Sequence, residues 1–389
     1  MFKLNLNNIE QRIRDICTRT VNENKNFGIM FRIMQHGEII TDVSEGVRDP
    51  DSGDPVNGDT MFRLASMTKP VTSAAVMVAR DKGLLKLTDA VSDYLPGFDD
   101  LWVGKLVDAP DGSRKFVKNY RASTTLRVWN LISHTSGIGS GEGGYVAQWD
   151  IDPQHRASLA AMAEYLPKNF LLDFEPGTKF AYSTMFGGDM AARVVEVVSG
   201  MPFNEFIRDN IFAPLGVDDV TFTPTEGQYA RLSRMMNCDA QGNPVADDSL
   251  GRSTFENLPL SYFCGGASLC GSMNGYTRFA EMLRGNGQLD GVRILSEESA
   301  KLLHTPWIPR DMEGITPFDD WGLMMRITAD DHPWLPKGIF GWSGAYGTVF
   351  WVDPVNDVTA VLMRNSRRGD VENVDLAGEF ERAMYEKAD

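Results

Sequence analysis

The sequence predicts a mixed α+β/α fold, in which an antiparallel sheet is built from both chain termini, flanked by helices, and interrupted by one long, mainly helical excursion. Three observations point there. Near the N-terminus, residues 27–34 and 38–43 form two strand-like runs about a turn at Gln35-His36-Gly37. Near the C-terminus, residues 347–352 and 358–363 repeat that pattern around Asp353-Pro354-Val355-Asn356-Asp357. Between the two hairpins, apolar residues recur mostly at helical spacing. Strands at both ends with helices between them are expected to share one sheet and to leave the helices as a second layer.

Taken in order, residues 7–22 read as an amphipathic helix ahead of the first hairpin. The run 71–82 is apolar and helix-compatible, and Gly83 suits the position just past its end. Further helices are expected at 124–133, 187–199, 203–212, 273–285 and 296–304, with a terminal helix over 371–386. Two stretches read as irregular insertions able to shape a pocket or lid: 97–123, with Pro110-Asp111-Gly112, and 305–338, with several prolines. The division that follows is a sheet domain of residues 1–65 and 305–389 and a helical domain of 66–304. A site is expected at their junction, where small-molecule pockets usually form.

Composition narrows the function. The 389 residues are 42% hydrophobic and 10% aromatic, enough for a sizeable core. A formal charge of −15 disfavours nucleic acid and anionic membranes as partners and favours neutral or cationic small molecules. Four cysteines (Cys17, Cys238, Cys264, Cys270) lack the spacing of a zinc site or a disulfide scaffold and read as buried thiols. The five histidines are scattered, so no metal site is suggested, and no cofactor is expected. No apolar run approaches a membrane span and the first residues lack a signal-peptide core, which makes the cytoplasm the expected location. The oligomeric state stays open, with a homodimer one option.

The chemistry is concentrated in Ser66-Met67-Thr68-Lys69. Residues three apart on a helix share a face, so the hydroxyl and the amine can meet locally. Pro70 is tolerated only in a first turn, which puts Ser66 at a helix start. A lysine there is misplaced by about 0.3–1 kcal/mol against the helix dipole. For catalysis the misplacement is useful, because burial and the dipole both favour a neutral amine that accepts a serine proton. A bare Ser-x-x-Lys arises about once by chance in a chain of this length, so context has to decide.

Two further signals supply context. In Phe174-Glu175-Pro176-Gly177-Thr178-Lys179-Phe180-Ala181-Tyr182-Ser183-Thr184, a Pro-Gly turn leads through a short extended piece to a helix. Tyr182 would lie in the connecting loop, where a nearby Lys69 could make its phenol a proton shuttle, although a lone tyrosine more often simply packs. The run Gly338-Ile339-Phe340-Gly341-Trp342-Ser343-Gly344-Ala345-Tyr346-Gly347-Thr348 leads into a strand. Its glycines allow a backbone N–H to approach a developing oxyanion, a donor whose removal typically costs about 2.7–4 kcal/mol; a bulged strand is the bland alternative.

Together and in this order, the three signals resemble the serine hydrolases of the class C β-lactamase and penicillin-binding-protein group, most of all the family VIII carboxylesterases. Supporting phrases are Phe62-Arg63-Leu64-Ala65-Ser66, Leu131-Ile132-Ser133-His134-Thr135-Ser136-Gly137-Ile138 and Cys264-Gly265-Gly266-Ala267-Ser268-Leu269. The likeness spans roughly 20–365 and implies a class C β-lactamase-like fold. It also implies that Ser66 is the acylated nucleophile, Lys69 takes or relays its proton, and Tyr182 assists and protonates the leaving group. The backbone N–H groups of Ser66 and Ala345 would form the oxyanion hole, with Trp342, Ser343 and Gly344 along the substrate.

Departures from the β-lactamase pattern are informative. Trp342-Ser343-Gly344 stands where those enzymes carry Lys-Thr-Gly, and Tyr182-Ser183-Thr184 stands for Tyr-x-Asn. Exchanging a cation for apolar surface suits a neutral ester better than an anionic antibiotic. The expected activity is therefore that of a carboxylesterase acting on small neutral esters, with at most weak β-lactamase side activity. A β-lactamase or D-amino-acid peptidase/amidase, an acyltransferase, and a non-enzymatic penicillin-binding-like protein are the alternatives. Gly139-Ser140-Gly141-Glu142-Gly143-Gly144 has dinucleotide-loop spacing but follows a helix, and Ser272-Met273-Asn274 opens a predicted helix; both read as decoys. No Gly-x-Ser-x-Gly elbow occurs, against an α/β-hydrolase.

Overall fold

The two terminal hairpins meet side by side in one sheet. The computed structural model describes residues 2–23, 25–110, 112–141, 151–241, 243–367 and 370–387. Its large sheet has seven strands, labelled in chain order: β1 (Gly28–Gln35), β2 (Glu38–Gly46), β3 (Asp319–Trp321), β4 (Arg326–Thr328), β5 (Phe340–Ser343), β6 (Val349–Asp353) and β7 (Val358–Arg364). The spatial order is β3-β4-β5-β6-β7-β1-β2, antiparallel throughout. β7 joins the two ends of the chain, with Val361 opposite Arg32 and Leu362 opposite Phe31.

Strand periodicity explains why both faces are covered. Ile29, Phe31, Ile33, Trp351, Ala360 and Leu362 point to one side, against helix α1 (Ile9–Asn22) and the C-terminal helix Asp370–Met384. Phe31 stacks on Phe380 at 4.3 Å and 6°. Their neighbours Met30, Phe350, Val352, Val361 and Met363 point to the other side, into the main core. There they meet helix Met273–Arg284, whose Tyr276 ring lies edge-on to Phe350 at 5.4 Å.

Helix α2 (Thr68–Asp81) runs through the middle of the helical layer and is buried from Thr68 to Ala79. A helix with apolar or small residues all round has no solvent face to give up, so it suits a central position. It packs on helix Phe186–Ser199 and helix Glu297–Leu303. A separate three-stranded sheet, ordered Met61–Arg63, Cys270–Ser272, Val220–Thr221, carries the chain into α2.

Several expectations need correcting. Residues 97–123 are not irregular: Trp102–Asp108 and Arg114–Arg121 form a hairpin with a register shift at Val103/Gly104. Half of its outer strand is charged, so little apolar alternation marks it. The stretch 305–338 contributes the edge strand β3 and its neighbour β4, each too short to show a period. Helix Leu159–Asn169 escapes sequence reading because Pro167 lies inside it, while Ser158 caps its start by accepting from Ala161 N–H at 3.1 Å. The run 124–133 is helical only over Val128–Ile132, and 203–212 changes to a π-helical turn at Arg208–Phe212. After the terminal helix, Tyr385–Lys387 pairs with Phe2–Leu4.

Candidate active site

Ser66 lies where strand Met61–Arg63 ends, and its surroundings are tied down on every side. The Asn365 amide brackets Arg63: its Oδ1 accepts from Arg63 N–H at 3.0 Å and its Nδ2 donates to Arg63 C=O at 3.1 Å. Leu64 C=O accepts from the Thr348 hydroxyl at 3.1 Å. Ala65 has φ +45°, a left-handed backbone that costs a non-glycine residue on the order of 1–3 kcal/mol. This kink turns the strand into a short 3₁₀ turn, Ala65–Met67, leading into α2. The Thr68 hydroxyl bonds Ala65 C=O at 2.7 Å, and Tyr276 donates to Met67 C=O at 2.9 Å.

Lys69 follows one turn later with its side chain fully buried. Its Nζ is 3.2 Å from Ser66 Oγ, 2.6 Å from Thr184 C=O and 2.8 Å from Gly266 C=O. The partners are a hydroxyl and two carbonyls, not a carboxylate. An ammonium can donate to all three; a neutral amine can donate to the two carbonyls and turn its lone pair to the serine.

The Gly266 carbonyl gets there because the Cys264–Leu269 phrase is wedged against helix Phe186–Ser199. A Cβ on Gly265 would stand 2.3 Å from Gly188 C=O, so this close passage requires glycine. On the far side, buried Asp189 accepts from Tyr262 Oη at 2.7 Å and from Gly266 N–H at 3.4 Å. Burial pushes its carboxyl above the usual range, against the pull of these hydrogen bonds.

Tyr182 is half-buried beside this pair. Lys69 Nζ approaches the face of its ring, 4.8 Å from the centroid. Trp342 Nε1 donates to its hydroxyl at 3.3 Å, and the two rings lie 5.2 Å apart. Trp342 in turn abuts Trp321 at 4.9 Å and 66°, which makes an aromatic wall. Ser343 and Ala345 are exposed, whereas Gly344 is buried against Leu64: an added Cβ there would be 2.2 Å from Leu64 C=O. The structure thus brings Ser66, Lys69, Tyr182 and Trp342 together and sets Ser343-Gly344-Ala345 alongside the chain leading into Ser66.

Sequence reasoning gives no role to the groups that hold Lys69 and the kink. Thr184 and Gly266 supply carbonyls, and Asn365 and Tyr276 hold the kink; nothing in their side-chain types signals this. The Leu131–Ile138 phrase is zipped to the Tyr182 stretch. Gly177 N–H donates to Thr135 C=O at 2.8 Å, Ala181 N–H to His134 C=O at 3.0 Å and the Ser183 hydroxyl to Ile138 C=O at 2.8 Å. Ser272 caps the helix Met273–Arg284, accepting from Gly275 N–H at 2.9 Å, and Asn274 binds Arg32 at 2.8 Å. That pair is structural. Residues 142–144 of the glycine-rich decoy lie outside the described residues. Among the described residues no cluster of His, Cys, Asp and Glu is placed to hold a metal. Cavities of about 540 and 510 Å³ lie elsewhere, one lined by Tyr94, Pro167 and Arg193, the other by Ile207, Phe212 and Val217.

Known proteins resemble this chain along most of its length. Residues 9–381 match the family described as Beta-lactamase. Protein Rv1367c of Mycobacterium tuberculosis is 29% identical over 379 residues, which cover 92% of this chain and 90% of that protein. Esterase EstB of Burkholderia gladioli is 26% identical over 401 residues, covering 94% and 92%. The solved structure of EstCE1, described as a hydrolase with promiscuous acyltransferase activity, superposes with a TM-score of 0.76 at 23% identity, covering 97% of this chain and 98% of that one. That likeness speaks to the fold.

Proposed function

The chain belongs to the Beta-lactamase family, and we propose that within it the protein is a carboxylesterase, hydrolysing small neutral esters through an acyl-enzyme on Ser66. The observation that carries this reading is the buried Lys69 amine, 3.2 Å from the Ser66 hydroxyl and held by two carbonyls. In its neutral form the amine takes the serine proton as Oγ attacks the ester carbonyl. The backbone N–H groups of Ser66 and Ala345 receive the developing oxyanion. As the tetrahedral intermediate breaks down, the C–O bond to the alcohol cleaves, its electron pair goes to the departing oxygen, and the Lys69–Tyr182 pair supplies the proton. Water then attacks the acyl-enzyme by the same route in reverse.

Preference for an ester rather than an anionic β-lactam rests on Trp342, which presents apolar surface where a lysine would offer a cation. Trp342, Ser343 and Gly344 line the substrate in this reading. Its site lies at the junction of a sheet unit (1–65 and 305–389) with a helical unit (66–304), and it uses neither metal nor cofactor. The proposal includes residence in the cytoplasm, supported by four cysteines that form no disulfide. Acyl transfer to an alcohol is the second reading, favoured by the acyltransferase side activity ascribed to EstCE1.

Mass spectrometry after brief exposure to p-nitrophenyl esters or a fluorophosphonate tests the assignment. A mass increment on Ser66 and loss of turnover in Ser66→Ala are expected; full turnover by folded Ser66→Ala overturns it. Nitrocefin and a D-amino-acid amide should turn over far more slowly than the ester, and product formation that depends on an added alcohol would reveal acyl transfer.

A further inference from the structure

His134 is fully buried and has no part in the chemistry above, yet it grips the chain on both sides of Tyr182. Its backbone carbonyl accepts from Ala181 N–H at 3.0 Å, and its ring Nδ1 accepts from Ser183 N–H at 3.2 Å. Two hydrogen bonds from one residue therefore fix the Phe180–Ala181 peptide, one residue ahead of Tyr182, and the Tyr182–Ser183 peptide just after it. The ring also lies 4.8 Å from the Tyr182 ring and edge-on to Phe180 and Trp321, at 6.0 and 5.7 Å.

This double grip needs an unusual backbone. His134 has φ +60°, a conformation few non-glycine residues adopt, and it lets carbonyl and ring address the same passing segment. A ring nitrogen that accepts a backbone N–H is unprotonated, so the ring proton sits on Nε2. Burial, helped by the nearby Lys69 charge, pushes the imidazole down to about 3, so Nδ1 stays an acceptor at neutral pH. His134 is thus a neutral fixture rather than a proton carrier.

Resting on the acyl-enzyme reading, we infer that His134 is a positioning residue that holds the Tyr182 phenol where it can protonate the departing alcohol. With a peptide held on either side of it and the imidazole 4.8 Å from its ring, Tyr182 is left little freedom beyond side-chain torsion. Its hydroxyl is then steadied by the indole of Trp342 at 3.3 Å. A shift of this segment by a fraction of an ångström would take the phenol out of line with the leaving oxygen.

The test uses the different need of two leaving groups for a proton. A p-nitrophenolate departs unaided, whereas an alkoxide must be protonated as the C–O bond breaks. Compared on kcat/KM, which reports acylation, His134→Leu is expected to lose roughly 10–100-fold on an alkyl ester and only about threefold or less on the p-nitrophenyl ester of the same acid. His134→Asn, whose carbonyl can accept from Ser183 N–H in place of Nδ1, should recover most of that loss. Tyr182→Phe should show the same selectivity, and the double variant with His134→Leu should be no worse than Tyr182→Phe alone.

Equal losses on the two esters, or losses that multiply in the double variant, overturn the inference, because a purely structural defect has no preference for leaving group. Should His134→Leu fail to fold, nitrogen NMR of histidine-labelled wild-type protein decides: an unprotonated, hydrogen-bonded Nδ1 supports the grip, and a protonated Nδ1 refutes it. Failure here is separable from failure of the functional reading, which is settled by Ser66→Ala.

Discussion

At Lys69 the arrangement is strict, because a side chain with no access to solvent meets one hydroxyl and two carbonyls. Lys69→Ala would leave both carbonyls without their donor and Ser66 without its base, so ester turnover is expected to fall by at least about 100-fold in steady-state assays while circular dichroism stays native. Trp342 is subtler. Trp342→Phe keeps the aromatic wall and removes only the indole donor to Tyr182, a neutral hydrogen bond of about 1 kcal/mol; kcat/KM should drop by less than about tenfold. Trp342→Ala also removes apolar surface, and KM for long-chain esters should rise more steeply than for acetate esters. If both variants behave alike across chain lengths, Trp342 is no part of the substrate wall. Spacing, order along the chain and the family resemblance together made Ser66, Lys69, Tyr182 and Trp342 visible as candidates. The backbone carbonyls that hold Lys69 were invisible, because every residue has one.

At the scale of elements, the site depends on how closely three segments approach. Helix Phe186–Ser199 and the Cys264–Leu269 stretch touch backbone to backbone at Gly188 and Gly265, which brings the Gly266 carbonyl to Lys69. Gly265→Ala would force a Cβ to within 2.3 Å of the Gly188 carbonyl. The expected result is a loss of about 1–3 kcal/mol in urea titrations, together with slower fluorophosphonate labelling of Ser66 as Gly266 is displaced. Labelling at the wild-type rate would show that the Gly266 carbonyl is dispensable. The sequence exposed α1 through its amphipathic period and α2 through a long apolar run. It hid the 102–121 hairpin, where charges occupy the outer strand, and the Leu159–Asn169 helix, where an internal proline contradicts the pattern.

Across the whole molecule, burial of neutral histidines ties stability to pH. Burial lowers the imidazoles of His134, to about 3, and of His304 and His332 by direction. The folded state refuses a proton that the unfolded chain takes up near the ordinary value of about 6.5. Stability is therefore full above about pH 6.5 and declines as pH falls toward about 3. Urea midpoints should be lower at about pH 5 than at about pH 7.5, and His134→Asn should flatten part of that slope; a midpoint that does not move contradicts the burial of these groups. The sequence by itself determined the hairpins at both ends, the helical excursion between them, and a serine and lysine one turn apart, because these follow from local spacing. Only the tertiary structure decided which backbone groups surround Lys69, what grips Tyr182 and how Gly344 abuts Leu64. Those are meetings between segments up to some 280 residues apart, and local periodicity carries no information about which distant segments will touch.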